Sequence, residues 1–470
     1  MKNAILLDFG STYTKVVCVD LSQRKVILTD KFPSTVHTDA GIALKQCFDV
    51  AEKALGKKAF EEALKLSSSS AAGGLRIAVS GLSESLSMKA GRNASFGAGG
   101  KVVYTGTGKL TPEDIEEIKI SDAEILLLCG GYEGGNYAHI LHNAELLSSS
   151  ELNIPVIYAG NSYVMKEVRR LFLSRGKECF TAENMMPDVG ILNIESTVDI
   201  IRDLFMSRIT GMNGVGAVKA AVNGQIVPTP AAVLSAGELL FYGSKGNPGI
   251  GPYMMLDIGG ATTDVYSFAE NRSYKGAKYI GAPEPDSKRT VEGDMGMRES
   301  SSCLLKEVGL KNFAAVCGLQ ERIIETAIQR RTVEREYIAC GEEEKRIDLE
   351  IAENAVRISA RRHSGNVKKE FYDGCRLVQR GKNLTEIRTV IGTGGILVNN
   401  PQEISERILK NTELLSQETG RILLPEKVTP FVDRDYIFFA AGLLREYDEE
   451  AALAIMKQSI GISEKERFVK

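Results

Sequence analysis

No two cysteines of this chain stand in a C-x-x-C pair; the eight present (Cys18, Cys47, Cys129, Cys179, Cys303, Cys317, Cys340 and Cys375) are scattered. Several lie in apolar, strand-like contexts, which points to buried thiols in a reducing compartment and away from a disulfide framework. No stretch approaches the roughly 20 consecutive apolar residues that a membrane span requires. Ala4-Ile5-Leu6-Leu7 is too short for the core of a secretory signal and runs straight into the motif of residues 7–17. Lys and Arg number 58 against 61 Asp and Glu, a net charge of −3 with no basic tail or stripe, so neither nucleic acid nor a membrane is an indicated partner. The expected address is cytoplasmic. What remains is an ordinary globular composition, 43% apolar and 25% charged, in 470 residues, a length with a prior of about three domains.

One short signature occurs twice. Leu7-Asp8-Phe9-Gly10-Ser11-Thr12-Tyr13-Thr14-Lys15-Val16-Val17 aligns without a gap on residues 256–266, Leu-Asp-Ile-Gly-Gly-Ala-Thr-Thr-Asp-Val-Tyr, 249 positions later, with five of eleven residues identical. Each copy follows an apolar run and precedes another strand-like stretch, the pattern of strand, tight glycine turn, strand. A carboxylate at a strand end, Asp8 or Asp257, is placed to hold Mg²⁺ directly or through its waters. Gly10, Gly259 and Gly260, with Ala261 beside them, leave room for phosphate to approach backbone N–H groups. Ser11, Thr12, Thr14, Thr262 and Thr263 add hydroxyls, Lys15 a positive charge, and Asp264 a carboxylate that can orient a metal-bound water. Either copy alone is no more than a β-hairpin. The pair is weightier because a third turn, Gly392-Thr393-Gly394-Gly395, has the bare backbone against which a flat adenine ring can slide. The expectation is a site for ATP and Mg²⁺, with Asp8, Asp257 and Asp264 as its reactive carboxylates.

Along the chain, strands are expected at 4–8, 14–20 and 25–31, and a helix at 39–55 ending at Gly56. The run Ser67-Ser68-Ser69-Ser70-Ala71-Ala72-Gly73-Gly74 reads as a flexible junction. Strands and helices then alternate to about residue 158, an α/β pattern. Residues 229–241 read as an apolar helix, 300–380 as mostly helical and charged, 390–396 as a strand with a glycine turn, and 435–447 as a packed helix. The domain expectation is a first half over 1–240 with an insertion at about 68–155, completed by C-terminal helix at about 431–470. A second half follows over 241–430 with a helical insertion at about 300–380.

The three turns in this order resemble the actin-like ATPase (ASKHA) superfamily of actin, sugar kinases and heat-shock chaperones. Thr229–Gly237 and Ala440–Leu444 resemble its two connecting helices. The resemblance implies an α/β actin-like ATPase fold: two related ribonuclease-H-like domains flanking a nucleotide cleft, with an insertion in the first. One departure stands out. In the chaperones a Glu near the start of the first connecting helix helps to place the attacking water, whereas Val227-Pro228-Thr229-Pro230 holds no carboxylate. Either Asp257 or Asp264 serves, or hydrolysis is slow, which suits a switch better than a metabolic kinase.

More particular strings, residues 289–298 (Arg-Thr-Val-Glu-Gly-Asp-Met-Gly-Met-Arg), 127–136 (Leu-Leu-Cys-Gly-Gly-Tyr-Glu-Gly-Gly-Asn), Ile157–Asn161 and Pro187–Phe205, resemble the glutamate mutase accessory family, GlmL or MutL. That resemblance implies an ATP-binding reactivating chaperone for an adenosylcobalamin-dependent mutase, exchanging damaged cobalamin for intact cofactor, with the mutase subunits as partners. The alternatives on the same core are a small-molecule kinase, a hydantoinase-like ATP-dependent enzyme and a filament-forming protein. Glu292, Asp294 and Arg298 read either as a solvated loop or as a group near phosphate or partner. The Gly130–Asn136 loop is open between a ligand loop and a structural turn. His139 and His142 read as surface or packing histidines, and Glu342–Arg346 as a solvated mixed-charge segment. Oligomeric state and the identity of the mutase are not legible.

Overall fold

The computed structural model describes residues 2–462 apart from 11–12, 37, 71–74, 210–212, 335, 373 and 419. The chain divides into two units. Unit 1 comprises 1–236, 280–285 and 439–452, and unit 2 comprises 237–279, 286–438 and 453–470.

Unit 1 begins with β1 (Asn3–Phe9), β2 (Tyr13–Asp20) and β3 (Lys25–Pro33), an antiparallel meander. Residues 4–9 of β1 are buried on both faces, the pattern of a central strand, whereas β3 alternates and lies at the edge. A helix over Ala40–Leu55 follows. Asp39 caps it by accepting from the Gly41 amide, and Gly56 ends it at φ 80°.

The expected junction at Ser67–Ser70 is corrected here. Leu64–Ser69 forms β4, which pairs in parallel with β1, and Ser67, Ser68 and Ser69 are buried. A serine run scores as linker by composition, yet its hydroxyls can bond to neighbouring strands: Ser69 donates to the Phe9 carbonyl at 3.2 Å. Ala71, Ala72, Gly73 and Gly74 lie outside the described residues.

A second sheet comes next: β5 (Arg76–Gly81), β6 (Lys101–Thr107), β7 (Ile125–Gly130), β8 (Val156–Gly160) and β9 (Cys179–Thr181). Its order is β6-β5-β7-β8-β9 and every pair is parallel. Successive residues of β7 enter two different apolar clusters, so both faces are covered, as a parallel sheet requires. The short β10 (Val227–Pro228) then returns beside β4, giving the first sheet the order β10-β4-β1-β2-β3.

Unit 2 repeats that first sheet. Its strands are β11 (Tyr253–Ile258), β12 (Thr263–Phe268), β13 (Lys278–Tyr279), β14 (Ser287–Glu292), β15 (Asn366–Tyr372), β16 (Cys375–Arg380), β17 (Thr389–Thr393) and β18 (Thr429–Val432). The main sheet runs β14-β12-β11-β17-β18, with β11, β12 and β14 antiparallel and β11, β17 and β18 parallel. In order of appearance both sheets therefore read 3-2-1-4-5 with the same strand directions. That is the ribonuclease-H-like topology, present twice, and it establishes the α/β actin-like ATPase fold with an insertion in the first copy.

Four helices, Ser301–Val308, Leu310–Cys317, Glu321–Val333 and Glu342–His363, fill the insertion of the second copy. Helix does not continue to 380: β15 and β16 form a hairpin beside β13. Residues 366–372 (Asn-Val-Lys-Lys-Glu-Phe-Tyr) show no clean alternation, and their run of charge resembles the helical stretch before them. The terminal helix spans Ile437–Leu444, capped by Asp433, and a further helix covers Glu449–Ser459. Burial raises the Asp433 carboxyl above the usual range, against hydrogen bonds from Ser459 and two backbone amides.

Candidate functional site

The two copies of the signature fold alike. Asp8 stands opposite Lys15 across the β1–β2 pair, and Asp257 stands opposite Asp264 across the β11–β12 pair. The Gly10 amide donates to the Tyr13 carbonyl at 3.0 Å, and the Gly259 amide to that of Thr262 at 2.9 Å. A Cβ at Gly10 would lie 2.6 Å from the Tyr13 carbonyl oxygen, so the first turn closes only around glycine. Ser11 and Thr12 lie outside the described residues.

At the first turn Asp8 is 1% exposed, and three side chains converge on it. Thr229 donates to Oδ1 at 2.5 Å, Ser68 to the same oxygen at 3.1 Å, and Lys15 Nζ to Oδ2 at 3.4 Å. Lys15 also lies 5.9 Å from the centre of the Phe439 ring. Ser68 and Thr229 were missed in the sequence. Ser68 hid in an apparent linker, although Leu64, Leu66 and Ser68 share one strand period; Thr229 lies in the stretch noted for its lack of a carboxylate and opens the helix likened to the first connecting helix.

At the second turn the geometry is set from behind. The carbonyls of Gly259 and Gly260 accept from the amides of Met297 at 3.0 Å and Arg298 at 2.7 Å, and that of Ala261 from the Ser300 hydroxyl at 2.6 Å. In a trans peptide the N–H points opposite to the preceding C=O. The amides of Gly260, Ala261 and Thr262 therefore face away from residues 297–300, toward the exposed side of the turn. Successive amides presented this way make an anion-binding concavity. Gly296 permits the approach: a Cβ there would lie 2.4 Å from the Ala261 carbonyl carbon.

Asp264 is held from two sides, and its Oδ2 accepts from the Thr262 hydroxyl at 3.5 Å. Arg289, 4% exposed in its side chain, pairs with Asp264 Oδ1 at 2.6 Å. Burial by itself would lower the Arg289 guanidinium, but Asp264 beside it raises it above the usual arginine range. Asp257 is half-buried at the end of β11, in register with Thr393 of β17.

Nor do all the threonines reach the carboxylate faces. Thr14 pairs with Phe9, and Thr263 with Ile258, so by strand alternation each points opposite to its aspartate. Thr14 is fully buried and its hydroxyl has no partner among the described residues; the Thr263 hydroxyl donates to the Met295 carbonyl at 2.6 Å. Thr262, in the turn itself, remains half-exposed.

The third turn adjoins the second. Gly394 has φ 108°, and a Cβ there would lie 2.4 Å from the Ile258 carbonyl oxygen, so only glycine lets the two backbones meet. Gly392 is closed in by Leu397 and Leu409, Thr393 is buried, and Gly395 opens a short helix over Gly395–Val398 with its own side exposed.

Among the described residues no cluster of three or more His, Cys, Asp or Glu can hold a metal ion. The donors fit Mg²⁺ all the same, since that ion keeps most of its waters and takes one or two carboxylates plus phosphate oxygens. Asp8 or Asp257 would supply the carboxylate, and Ser68 and Thr229 orient Asp8 as hydroxyls do behind a metal ligand.

Other candidates resolve into structure. Arg362 bonds Asp294 at 2.7 Å and Glu292 at 3.2 Å, and Arg298 bonds Asp348 at 2.9 Å. His142 Nε2 lies 3.1 Å from the Leu110 carbonyl oxygen. Within Glu342–Arg346, Glu344 is not merely solvated: it pairs with the buried Arg331 at 2.8 Å. Five described cysteines are buried without a disulfide, and no described helix is long and apolar enough to cross a membrane.

Two solved structures give distant likenesses. The ethanolamine utilization protein EutJ of Carboxydothermus hydrogenoformans is 11% identical, with 96% of this chain and 89% of that one covered at a TM-score of 0.29. The acetate kinase of Porphyromonas gingivalis is 12% identical over 94% and 99%, at 0.28. The fold assignment rests on strand order and not on these. In sequence, Protein MutL of Clostridium tetanomorphum is 36% identical over 458 residues, 97% of this chain and 98% of the relative. The family described as MutL protein matches residues 4–460, and the chain belongs to that family, the glutamate mutase accessory family.

Proposed function

We propose that this chain is an ATP-binding accessory protein of an adenosylcobalamin-dependent mutase of the glutamate mutase type, promoting the exchange of damaged cobalamin for intact cofactor. The observation that carries the nucleotide part is the second turn, whose carbonyls are fastened by residues 297–300 while its amides face outward. Its duplicate around Gly10 and the glycine backbone at Gly394 support the same reading. Family membership supports the mutase as partner.

In this reading the amides of Gly260, Ala261 and Thr262 hold phosphate oxygens, and Lys15 adds positive charge at the first turn. Asp8 or Asp257 would hold Mg²⁺ chiefly through its waters; the ion, when bound, screens phosphate charge. Asp257 orients the attacking water, because Asp264 is committed to Arg289. With no carboxylate at Val227–Pro230 and Thr229 spent on Asp8, turnover is slow, as befits a protein whose ATP-bound and ADP-bound forms must each persist.

The test mixes the protein with inactivated mutase, ATP, Mg²⁺ and fresh adenosylcobalamin. Recovery of mutase turnover that requires ATP is the expected result, and no recovery with intact ATP binding would refute the accessory role. Asp8→Ala and Asp257→Ala should each abolish Mg²⁺-dependent ATP binding; unchanged affinity in both would refute the site.

A further inference from the structure

The inserted sheet has the order 2-1-3-4-5, counted along its own strands, with every strand parallel. Sheets of this kind bind small ligands in the crevice beyond their carboxyl ends where the order reverses, here between β5 and β7. That crevice is filled. A Cβ on Gly81 would lie 2.8 Å from the Met88 amide, and one on Gly130 would lie 2.9 Å from Leu82 Cγ and 3.2 Å from Ser87 Oγ. Ser87 accepts from the Leu82 and Ser83 amides at 2.8 and 3.1 Å, and Cys129 Sγ donates to its carbonyl. The edge offers a surface, not a pocket.

That surface is built and rigid. The loops after β7, β8 and β9 are joined through Glu133, whose carboxylate accepts from the Ser162 hydroxyl and from Asn184 Nδ2 at 2.6 Å, and whose amide donates to the Pro187 carbonyl at 3.0 Å. Buried Asn161 donates to the Tyr132 carbonyl at 2.9 Å. On this frame large apolar side chains stand in solvent: Tyr163 and Val189 are each 74% exposed, Ile191 50% and Tyr137 45%. Within the three loops charge has one sign, although Lys166 opens the helix that follows the second. No lysine or arginine occurs between Lys119 and Lys166 or between Lys177 and Arg202, whereas Glu183, Asp188 and Glu195 lie in or at the end of the third loop. Large apolar side chains exposed on hydrogen-bonded loops that carry only acidic charge mark a protein contact, and the acidic sign disfavours phosphate-bearing ligands.

We propose that the carboxyl edge of the inserted sheet is a docking face for a protein partner that presents lysine and arginine around an apolar centre. Resting on the accessory reading, we assign that partner to the mutase. The probe is the purified mutase, added to the full chain with ATP and Mg²⁺. Hydrogen exchange should slow in 130–138, 160–165 and 182–195. Tyr163→Ser, Val189→Ser and Ile191→Ser combined should weaken mutase binding about tenfold or more, the range of interface anchors. Asp188→Lys should weaken it further, and rising salt should weaken the wild type. ATP affinity should stay unchanged throughout.

Protection elsewhere, with the triple variant binding normally, would overturn this face and leave the accessory reading intact. No binding of the mutase by wild-type chain, with ATP held normally, would overturn both. Protection of the same loops in concentrated protein alone would make the occupant a second copy of this chain, and so overturn the basic partner.

Discussion

Gly296 is the most exacting point in the support of the second turn, and Gly296→Ala tests whether that turn holds nucleotide. The added methyl would lie 2.4 Å from the Ala261 carbonyl carbon and 2.5 Å from both the Ala261 and Gly260 carbonyl oxygens, where ordinary contacts are 3.4–4 Å. Three backbone atoms cannot rotate away, so the turn or the 295–300 segment must move by about 1 Å. Overpacking of this kind costs about 1–3 kcal/mol of stability. The effect on binding is separate. A shift of that size breaks at least one hydrogen bond from a turn amide to a charged phosphate, worth about 1.5–3 kcal/mol, so ATP should bind roughly 10- to 150-fold more weakly.

The assay is titration calorimetry with ATP and Mg²⁺ alongside urea unfolding. Gly216→Ala, where a Cβ meets nothing within 4 Å, is the control and should keep wild-type affinity. Should Gly296→Ala fail to fold, Ser300→Ala serves instead. It removes the donor to the Ala261 carbonyl at 2.6 Å and the acceptor of the Gly296 amide at 2.7 Å without adding bulk. A folded Gly296→Ala or Ser300→Ala protein with unchanged ATP affinity would refute the assignment of phosphate to this turn.

Legibility followed the physics of each element. The hairpins could be read because a tight turn demands glycine and a central strand demands an apolar run, and both demands leave local marks at Leu6–Gly10 and Leu256–Gly260. That the two sheets share one topology extends the repeat far beyond the aligned residues. The tie of Asp264 to Arg289 is 25 positions long in sequence and arises from pairing of β12 with β14, which no local pattern discloses. Thr229 meets Asp8 across 221 positions for the same reason. Ser67–Ser69 misled because burial of a hydroxyl depends on a strand neighbour, and the neighbour is supplied by β1. The resemblance to the accessory family reached further than the local chemistry could, since the strings at 289–298 include the very glycine that lets the second turn close.

The remaining predictions concern stability. Arg289→Leu leaves Asp264 in a mostly buried place without its cation, and should cost about 3–5 kcal/mol in urea unfolding; pairing it with Asp264→Leu should recover most of that, and a loss within error of zero for the single variant would show the pair to be dispensable. Gly442→Ala would set a methyl 1.9 Å from the Ala232 carbonyl oxygen where two helices of unit 1 cross, so a melting temperature unchanged by the substitution would contradict that crossing. His363 makes stability depend on pH. It is fully buried with Nε2 2.8 Å from Ser267 Oγ and Nδ1 2.8 Å from Thr290 Oγ1, and burial, with Lys288 and Lys382 near, holds it well below the ordinary value of 6.5. Above pH 6.5 the imidazole is neutral in both states and contributes no pH dependence. Below it the unfolded chain takes up a proton that the native state refuses, so stability falls as pH falls, by about 1.4 kcal/mol per pH unit from this group. Carboxylates add their own slope, and the difference between wild type and His363→Gln isolates the histidine. Unfolding curves from pH 7.5 to 5.5 should show the variant losing less stability than the wild type over the acid limb; parallel slopes would mean that His363 is protonated in the native protein or open to water, and the hydrogen-bonded neutral ring would have to be abandoned.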